Sequence, residues 1–246
     1  MNHSFLRALL FDLGGTLMHA RRPWPAVISR ADQALVRSLQ SQGLNIADHF
    51  ADEFRARLED YYAQRTISLF ETTYHSVLSE LLSEKHYPDI AETVSRSALD
   101  ALFAVTHKNW ALEEDAHLTL KMLEAAGYRM GIVSNAGDET DVLELVERFG
   151  IGPYFDFVLT SATCSYRKPH PRIFEVALSH WKFPASEAAI IGDTLEADIA
   201  GGQIAGLYTI WISRRIQAAE EDRARIRPDS QIESLIELPG VLNKLN

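Results

Sequence analysis

The chain has 246 residues, 46% of them hydrophobic, and a formal net charge of −10. That is enough apolar material for one large domain, or for a core with a smaller insert. The acidity excludes general nucleic-acid binding, which needs clustered Lys and Arg to neutralise phosphates, and it means that any anion site needs a local cation or metal.

The N-terminal "MNHSFLRALLFD" carries an apolar run too short for a signal peptide. Within it "LRALLFD" (6–12) reads as a buried strand ending at Asp12. The "DLGGT" that follows admits two phosphate chemistries. A strand-end aspartate can attack phosphorus, or a Gly-Gly-Thr turn can cradle a nucleotide, as in sugar kinases. From Pro23 to Trp110 there is no convincing strand, and apolar spacing predicts helices over 26–42, 46–64, 70–84 and 90–110. Leu78, Leu81 and Leu82 share one helix face, Pro88 separates the last two helices, and Asp89 is the expected N-cap.

After Trp110 the pattern alternates. Helices are expected over 113–127, 138–150, 171–181 and 195–206, and apolar strands over 128–135, 155–160, 188–193 and 207–212. Near-continuous apolar strands between helices predict a parallel sheet covered on both faces. The charged run 214–227 reads as solvated surface. The expected fold is α/β, a Rossmann-like three-layer core of 1–17 and 112–246 with a helical cap inserted over 18–111. No stretch approaches the roughly 20 apolar residues of a membrane span, and Cys164 is the one cysteine. The expectation is a soluble, cytoplasmic protein with no nucleic-acid or membrane partner.

Open parallel sheets bind ligands at the carboxyl ends of their strands. Those ends carry Asp12, Ser134 with Asn135, and Asp193 with Asp198 one turn on, while Lys168 follows the strand over 155–160. Carboxylates alone repel phosphate. With Mg²⁺, a hard cation that takes oxygen ligands, Asp12 and Asp193 hold the ion, and the ion and Lys168 neutralise the phosphoryl oxygens. Ser134 then donates to one such oxygen, and Asp12 attacks phosphorus to give an aspartyl-phosphate that water cleaves. Gly15 and Asn135 are candidate substrate contacts beside them.

Four segments, "LLFDLGGTL", "GIVSN", "YRKPHPRIF" and "IIGDTLEADIAG", in this order resemble the haloacid dehalogenase superfamily, and "PDSQIESLIEL" (228–238) resembles that family's chain end. The resemblance implies Asp12 as nucleophile, Thr16 and Ser134 as phosphate-positioning groups, Lys168 as charge stabiliser, and Asp193 with Asp198 at a Mg²⁺ site. It also implies the Gly14 carbonyl as a metal ligand and phosphorylated small molecules as substrates.

Gly14 departs from that pattern. The family's phosphatases carry there an Asp that protonates the leaving oxygen and later activates water. Losing such a group costs ~10²–10⁴-fold in rate, least for acidic leaving groups such as acyl or aryl phosphates. Three explanations stand. The protein is a slow or specialised phosphatase, with His19 the nearest substitute acid. It cleaves a bond that needs no acid, although "GDTLEAD" argues against carbon–halogen chemistry and only Lys85 and Lys108 are available in the insert for carbon–phosphorus chemistry. Or it has lost turnover and binds a ligand or partner. The sugar-kinase reading fails on context, since that turn leads into a β-hairpin. Arg21, Arg22 and Arg65 are possible substrate anchors, whereas Trp24, His75, His107 and Trp110 read as packing or surface and Cys164 as structural.

Overall fold

The computed structural model describes residues 5–215 and 220–245. In chain order it begins with β1 (Ala8–Phe11) and β2 (Met18–Ala20), followed by four helices, α1 (Trp24–Ser41), α2 (Phe50–Ser68), α3 (Tyr74–Glu84) and α4 (Glu92–Thr106). Then come β3 (Trp110–Leu112), α5 (Ala116–Ala125), β4 (Arg129–Ser134), α6 (Glu139–Arg148), β5 (Phe157–Thr160), the short α7 (Ser161–Cys164) and α8 (Pro171–Ser179). The last part holds β6 (Ala188–Gly192), a π-helical turn (Leu195–Ala200), α9 (Gly201–Ile204), β7 (Tyr208–Ile212), α10 (Glu220–Arg225), β8 (Ser230–Ile232) and α11 (Leu238–Leu242).

Six strands form one sheet in the order β5-β4-β1-β6-β7-β8, every pair parallel. β1 is central, and Leu10 lies opposite Gly131 on one side and Ile190 on the other. Its side chains alternate between faces. Leu9 and Phe11 pack with Leu120 and Leu123 of α5 and Val142 and Leu145 of α6. Ala8 and Leu10 pack with Ile173, Phe174 and Ala177 of α8. The result is the α/β architecture of three layers, with strands buried on both faces. No described helix is long and apolar enough to cross a membrane.

The helices α1 to α4 have an apolar cluster of their own, with Leu35, Leu39, Phe54, Leu58, Leu78, Leu82, Leu99 and Leu102 at its centre. They are tied to the sheet edge by the Arg96–Asp138 pair at 2.7 Å, the His107–Asp141 pair at 2.6 Å, and the Tyr74 N–H donating to the Gly137 carbonyl at 3.0 Å.

Several expectations change. The last insert helix stops at Thr106, and Trp110–Leu112 is a strand antiparallel to β2, with Ala20 opposite Trp110. A three-residue strand whose partner lies across the whole insert carries no local signal. A strand therefore does follow the "DLGGT" turn, although its partner is not the next segment. The second helix runs to Ser68 rather than 64, and its successor starts at Tyr74, where the Thr73 hydroxyl accepts from the Ser76 N–H at 3.0 Å. The N-cap of α4 is Ala91, not Asp89. The helix expected over 195–206 opens as a π-turn, in which the Asp198 carboxylate accepts from the Thr194 N–H at 3.0 Å. Segment 228–238 supplies the edge strand β8. Of the charged run 214–227, residues 216–219 lie outside the described residues, as do 1–4 of the expected core.

Candidate active site

The carboxyl ends of β1, β4 and β6 meet because β1 sits between the other two. Asp12 follows β1, and its backbone N–H donates to the Ile191 carbonyl at 2.9 Å, which carries the sheet ladder one residue further. Lys168 comes in on the loop after α7. Asn135 braces that loop. Its carboxamide donates to the Lys168 carbonyl at 2.9 Å and accepts from the Lys168 N–H at 2.8 Å. The Lys168 ammonium reaches Asp12 Oδ1 at 2.7 Å, Asp198 Oδ1 at 2.6 Å and the Val133 carbonyl at 2.7 Å. Asp193 has no cation within ion-pair distance among the described residues. The Thr194 hydroxyl donates to its Oδ1 at 3.2 Å.

These groups are almost wholly buried, and their charges are strongly coupled. Burial pushes the Asp12 carboxyl up to about 6. The neighbouring Lys168 ammonium opposes that shift and the Asp198 carboxylate adds to it. Burial, then Asp12 and Asp198, push the Asp193 carboxyl up to about 8. For Lys168 burial favours the neutral amine, but the Asp12 and Asp198 carboxylates outweigh it and hold the ammonium above its ordinary range. One oxygen each from Asp12, Asp193 and Asp198 lie within 4.8 Å of one another. Three carboxylates around one ammonium leave an excess of negative charge in a dry site, and an all-oxygen donor set of this kind fits a hard divalent cation.

Gly15 makes the approach of Asp193 feasible. Its φ is +94°, and a Cβ there would lie 2.1 Å from Asp193 Oδ2. Gly14 has a different neighbour. A Cβ at Gly14 would lie 3.2 Å from Trp110 Cη2, so the indole takes much of the room into which a side chain at 14 would grow. Trp110 in turn meets Trp24 edge to face, with centroids 5.0 Å apart.

Above the site lies a cavity of about 800 Å³ between sheet edge and insert. Asp12, Gly14, Ser134, Asn135, Lys168, Asp193 and Asp198 line it, as expected from sequence, whereas Gly15 and Thr16 do not. The Thr16 hydroxyl is fully buried and has no hydrogen-bond partner among the described residues. His19 is not in the lining either. β2 turns Met18 towards the cavity and His19 away, and His19 Nδ1 lies 3.0 Å from Glu113, which Arg214 and Arg215 also hold. His19 is therefore not placed to stand in for the missing acid. Lys85 and Lys108 are likewise absent from the lining, and Lys85 pairs with Glu53 at 2.7 Å. Of the three candidate arginine anchors only Arg65 faces the cavity. Burial pushes the Cys164 thiol up, and it donates to the Tyr166 carbonyl at 3.1 Å, in line with a structural residue.

Other residues of the site were not legible in the sequence. Trp24 and Trp110, read as packing or surface, form one wall of the cavity. Glu71 is buried at the junction of insert and core. Its carboxylate accepts from the Tyr61 hydroxyl at 2.6 Å, from Ser161 and from Arg167. Beside it the Glu71 N–H donates to the Ser165 carbonyl and the Arg167 N–H to the Leu69 carbonyl, each at 3.0 Å. Arg167 is next to Lys168, the one signal that pointed to it. Glu71 had none, because its partners in the core, Ser161 and Arg167, lie ninety or more residues away.

Fold and site together describe an α/β protein with a coupled cluster of acids and a lysine at its strand ends, under a helical roof, the arrangement of a hydrolytic enzyme. The family model for haloacid dehalogenase-like hydrolases matches residues 6–206, and the chain belongs to that family. It is 30% identical over 244 residues to a ribulose-1,5-bisphosphate 5-phosphatase of Halopiger xanaduensis, across 97% of this chain and 98% of that one. It is 28% identical to the pyrophosphatase PpaX of Bacillus pumilus, across 98% and 99% of the two chains. Among solved structures it resembles a 2-haloacid dehalogenase from Pseudomonas syringae pv. Tomato DC3000. That similarity has a TM-score of 0.71, 28% identity, and coverage of 98% of this chain and 100% of that one.

Proposed function

We propose that this enzyme hydrolyses phosphorylated small molecules through an aspartyl-phosphate on Asp12, with residues 1–17 and 112–246 as catalytic core and 18–111 as a cap. The observation that carries the reading is the gathering of Asp12, Asp193 and Asp198 at the floor of the cavity, with the Lys168 ammonium paired to Asp12 and Asp198. The Asp12 carboxylate forms a bond to phosphorus as the bond to the leaving oxygen breaks. Lys168 holds Asp12 in place and offsets charge on the phosphoryl oxygens, while Ser134 orients them, Asn135 shapes their seat and Gly15 makes room for Asp193. Thr16, buried away from the cavity, supports the turn rather than touching the phosphoryl group. Water then attacks phosphorus, releasing phosphate and restoring Asp12. Mg²⁺ held by Asp12, Asp193, Asp198 and the Gly14 carbonyl would supply the remaining neutralisation of an incoming dianion. A reducing cytoplasm suits the single cysteine.

Gly14 supplies no proton, and a Cβ at that position would meet the Trp110 indole in a tight 3.2 Å contact. The reading therefore favours leaving groups that depart as stable anions: acyl and aryl phosphates, and phosphoanhydrides. The same contact favours a second reading, a phosphate-ligand or partner-binding protein with little turnover. Dehalogenation, named for the Pseudomonas syringae neighbour, fits less well. It expels a halide anion, and here that anion would face three carboxylates balanced by one ammonium.

The test is hydrolysis of p-nitrophenyl phosphate with and without Mg²⁺, by wild type and Asp12→Asn. The reading expects Mg²⁺-dependent turnover that falls roughly 10³-fold or more in the variant. Phosphate binding without Asp12-dependent turnover under any divalent metal would establish the binder instead.

A further inference from the structure

The ionisable side chains that line the cavity fall into pairs, with two exceptions. Arg55 holds Asp32 through both oxygens, at 2.8 and 2.6 Å. Arg167 pairs with Glu71, and Lys168 with Asp12 and Asp198. Asp138 pairs with Arg96, Asp141 with His107, and Glu196 with Arg225. Among the described residues this leaves Asp193, which belongs to the candidate metal site, and Arg65. The Arg65 guanidinium has no carboxylate partner and lies over the Tyr62 ring, 3.9 Å from its centroid. Tyr62 is itself fixed by a 2.7 Å hydrogen bond between its hydroxyl and that of Tyr74.

A guanidinium stacked on a fixed ring keeps its donors in plane and free at the edges, the arrangement suited to two-pronged binding of a carboxylate or phosphate. The roof otherwise offers an anion little. The other insert arginine in the lining, Arg55, is committed to Asp32, and the chain carries a net charge of −10. Arg65 also lies in the last turn of α2, where a cation favours the helix dipole, but that purpose is served without facing the cavity.

We infer that Arg65 binds a second anionic group of the substrate, so that the substrate class is small molecules with a phosphoryl group at one end and a phosphate or carboxylate at the other. The inference rests on the phosphoryl-transfer reading above. The reacting phosphoryl sits over Asp12, and the distal anion takes the Arg65 edge that no protein carboxylate occupies. One charge-assisted, bidentate contact of this kind gives roughly 10- to 100-fold in affinity.

The experiment is calorimetric titration of Asp12→Asn protein with Mg²⁺, which binds without turnover. The ligands are matched pairs, α,ω-alkane bisphosphates with linkers of three to six carbons and the alkyl monophosphates of the same lengths. At the linker that spans the cavity the bisphosphate should bind about 10-fold or more tighter than its monophosphate. Arg65→Met keeps the side-chain stem against Tyr62 and should reduce that preference to about twofold or less, with monophosphate affinity unchanged. Arg65→Lys, which keeps the charge at the helix end, should retain part of it. Equal affinity of both members at every length, or a preference that survives Arg65→Met, overturns the inference and leaves the phosphoryl reading intact so long as monophosphates bind. If neither member of any pair binds, the phosphoryl reading itself fails and the inference with it.

Discussion

At the floor of the cavity carboxylates and an ammonium crowd together on strand ends, while the roof presents rings, aliphatic side chains and one unpaired guanidinium. The floor is held from within the sheet. β1, β4 and β6 are in register, and Asn135 locks the Lys168 loop to the end of β4. The roof is held by scattered long-range ties, namely Glu71 to Ser161 and Arg167, Arg96 to Asp138, and Trp110 on a two-stranded ribbon. Under the proposed function, reaction and selection are divided between the two: the floor concentrates charge that a reaction on a dianion would use, and the roof would select the leaving group and the distal group.

Removing the one cation of the floor gives the largest effect. Lys168→Met leaves three buried carboxylates without their ammonium, and breaking such a pair from one side costs about 3–5 kcal/mol. Urea melts should show that loss and activity should vanish. A melt within about 1 kcal/mol of wild type would mean that the floor is wetter and less coupled than its burial indicates.

Floor and roof touch at Gly14, against the Trp110 indole. Gly14→Asp alone should not raise turnover of alkyl phosphates, because the new side chain grows into Trp110. Gly14→Asp combined with Trp110→Ala should raise it by about 10- to 100-fold, and aryl phosphates by less, as expected when only a general acid was missing. No gain in the double variant would show that more of the roof than one indole has been rebuilt.

The smallest effect is the pH dependence of the floor. Asp12 and Asp193 titrate near 6 and 8 in the folded chain, above the ordinary 3.8. The folded state then binds more protons than the unfolded state between about pH 4 and pH 8, so these groups lower stability as pH rises through that window. Without metal, the melting temperature should fall from pH 5 to pH 8. Mg²⁺ should raise it by about 5 °C at pH 8, the shift that ~1–2 kcal/mol gives in a chain this long, and scarcely at pH 5. The same Mg²⁺ shift at both pH values would separate metal binding from these carboxylates.

Much of the floor was legible in the sequence. Asp12, Ser134 and Asp193 stand at the ends of apolar strands, and parallel strands bring their carboxyl ends together whatever the details of packing. Asp198 follows from helical spacing and Lys168 from its place after the third core strand. The roof was legible only as helix. Its apolar spacing gave four helices, with shifts of a few residues at their ends, because burial on one face leaves a local period. Ribbon β2–β3, the Glu71 junction and the Trp110–Gly14 contact left no such trace, since each joins segments separated by much of the chain.

By itself, then, the sequence determined an α/β sheet with a helical insertion and the acids and lysine at its strand ends, because periodicity and strand polarity are local properties. Only the tertiary structure decided that an indole lies beside Gly14, that His19 turns away, and that of the two insert arginines lining the cavity Arg55 is paired with Asp32 while Arg65 has no carboxylate partner among the described residues. Those are matters of distance between remote residues, fixed by packing.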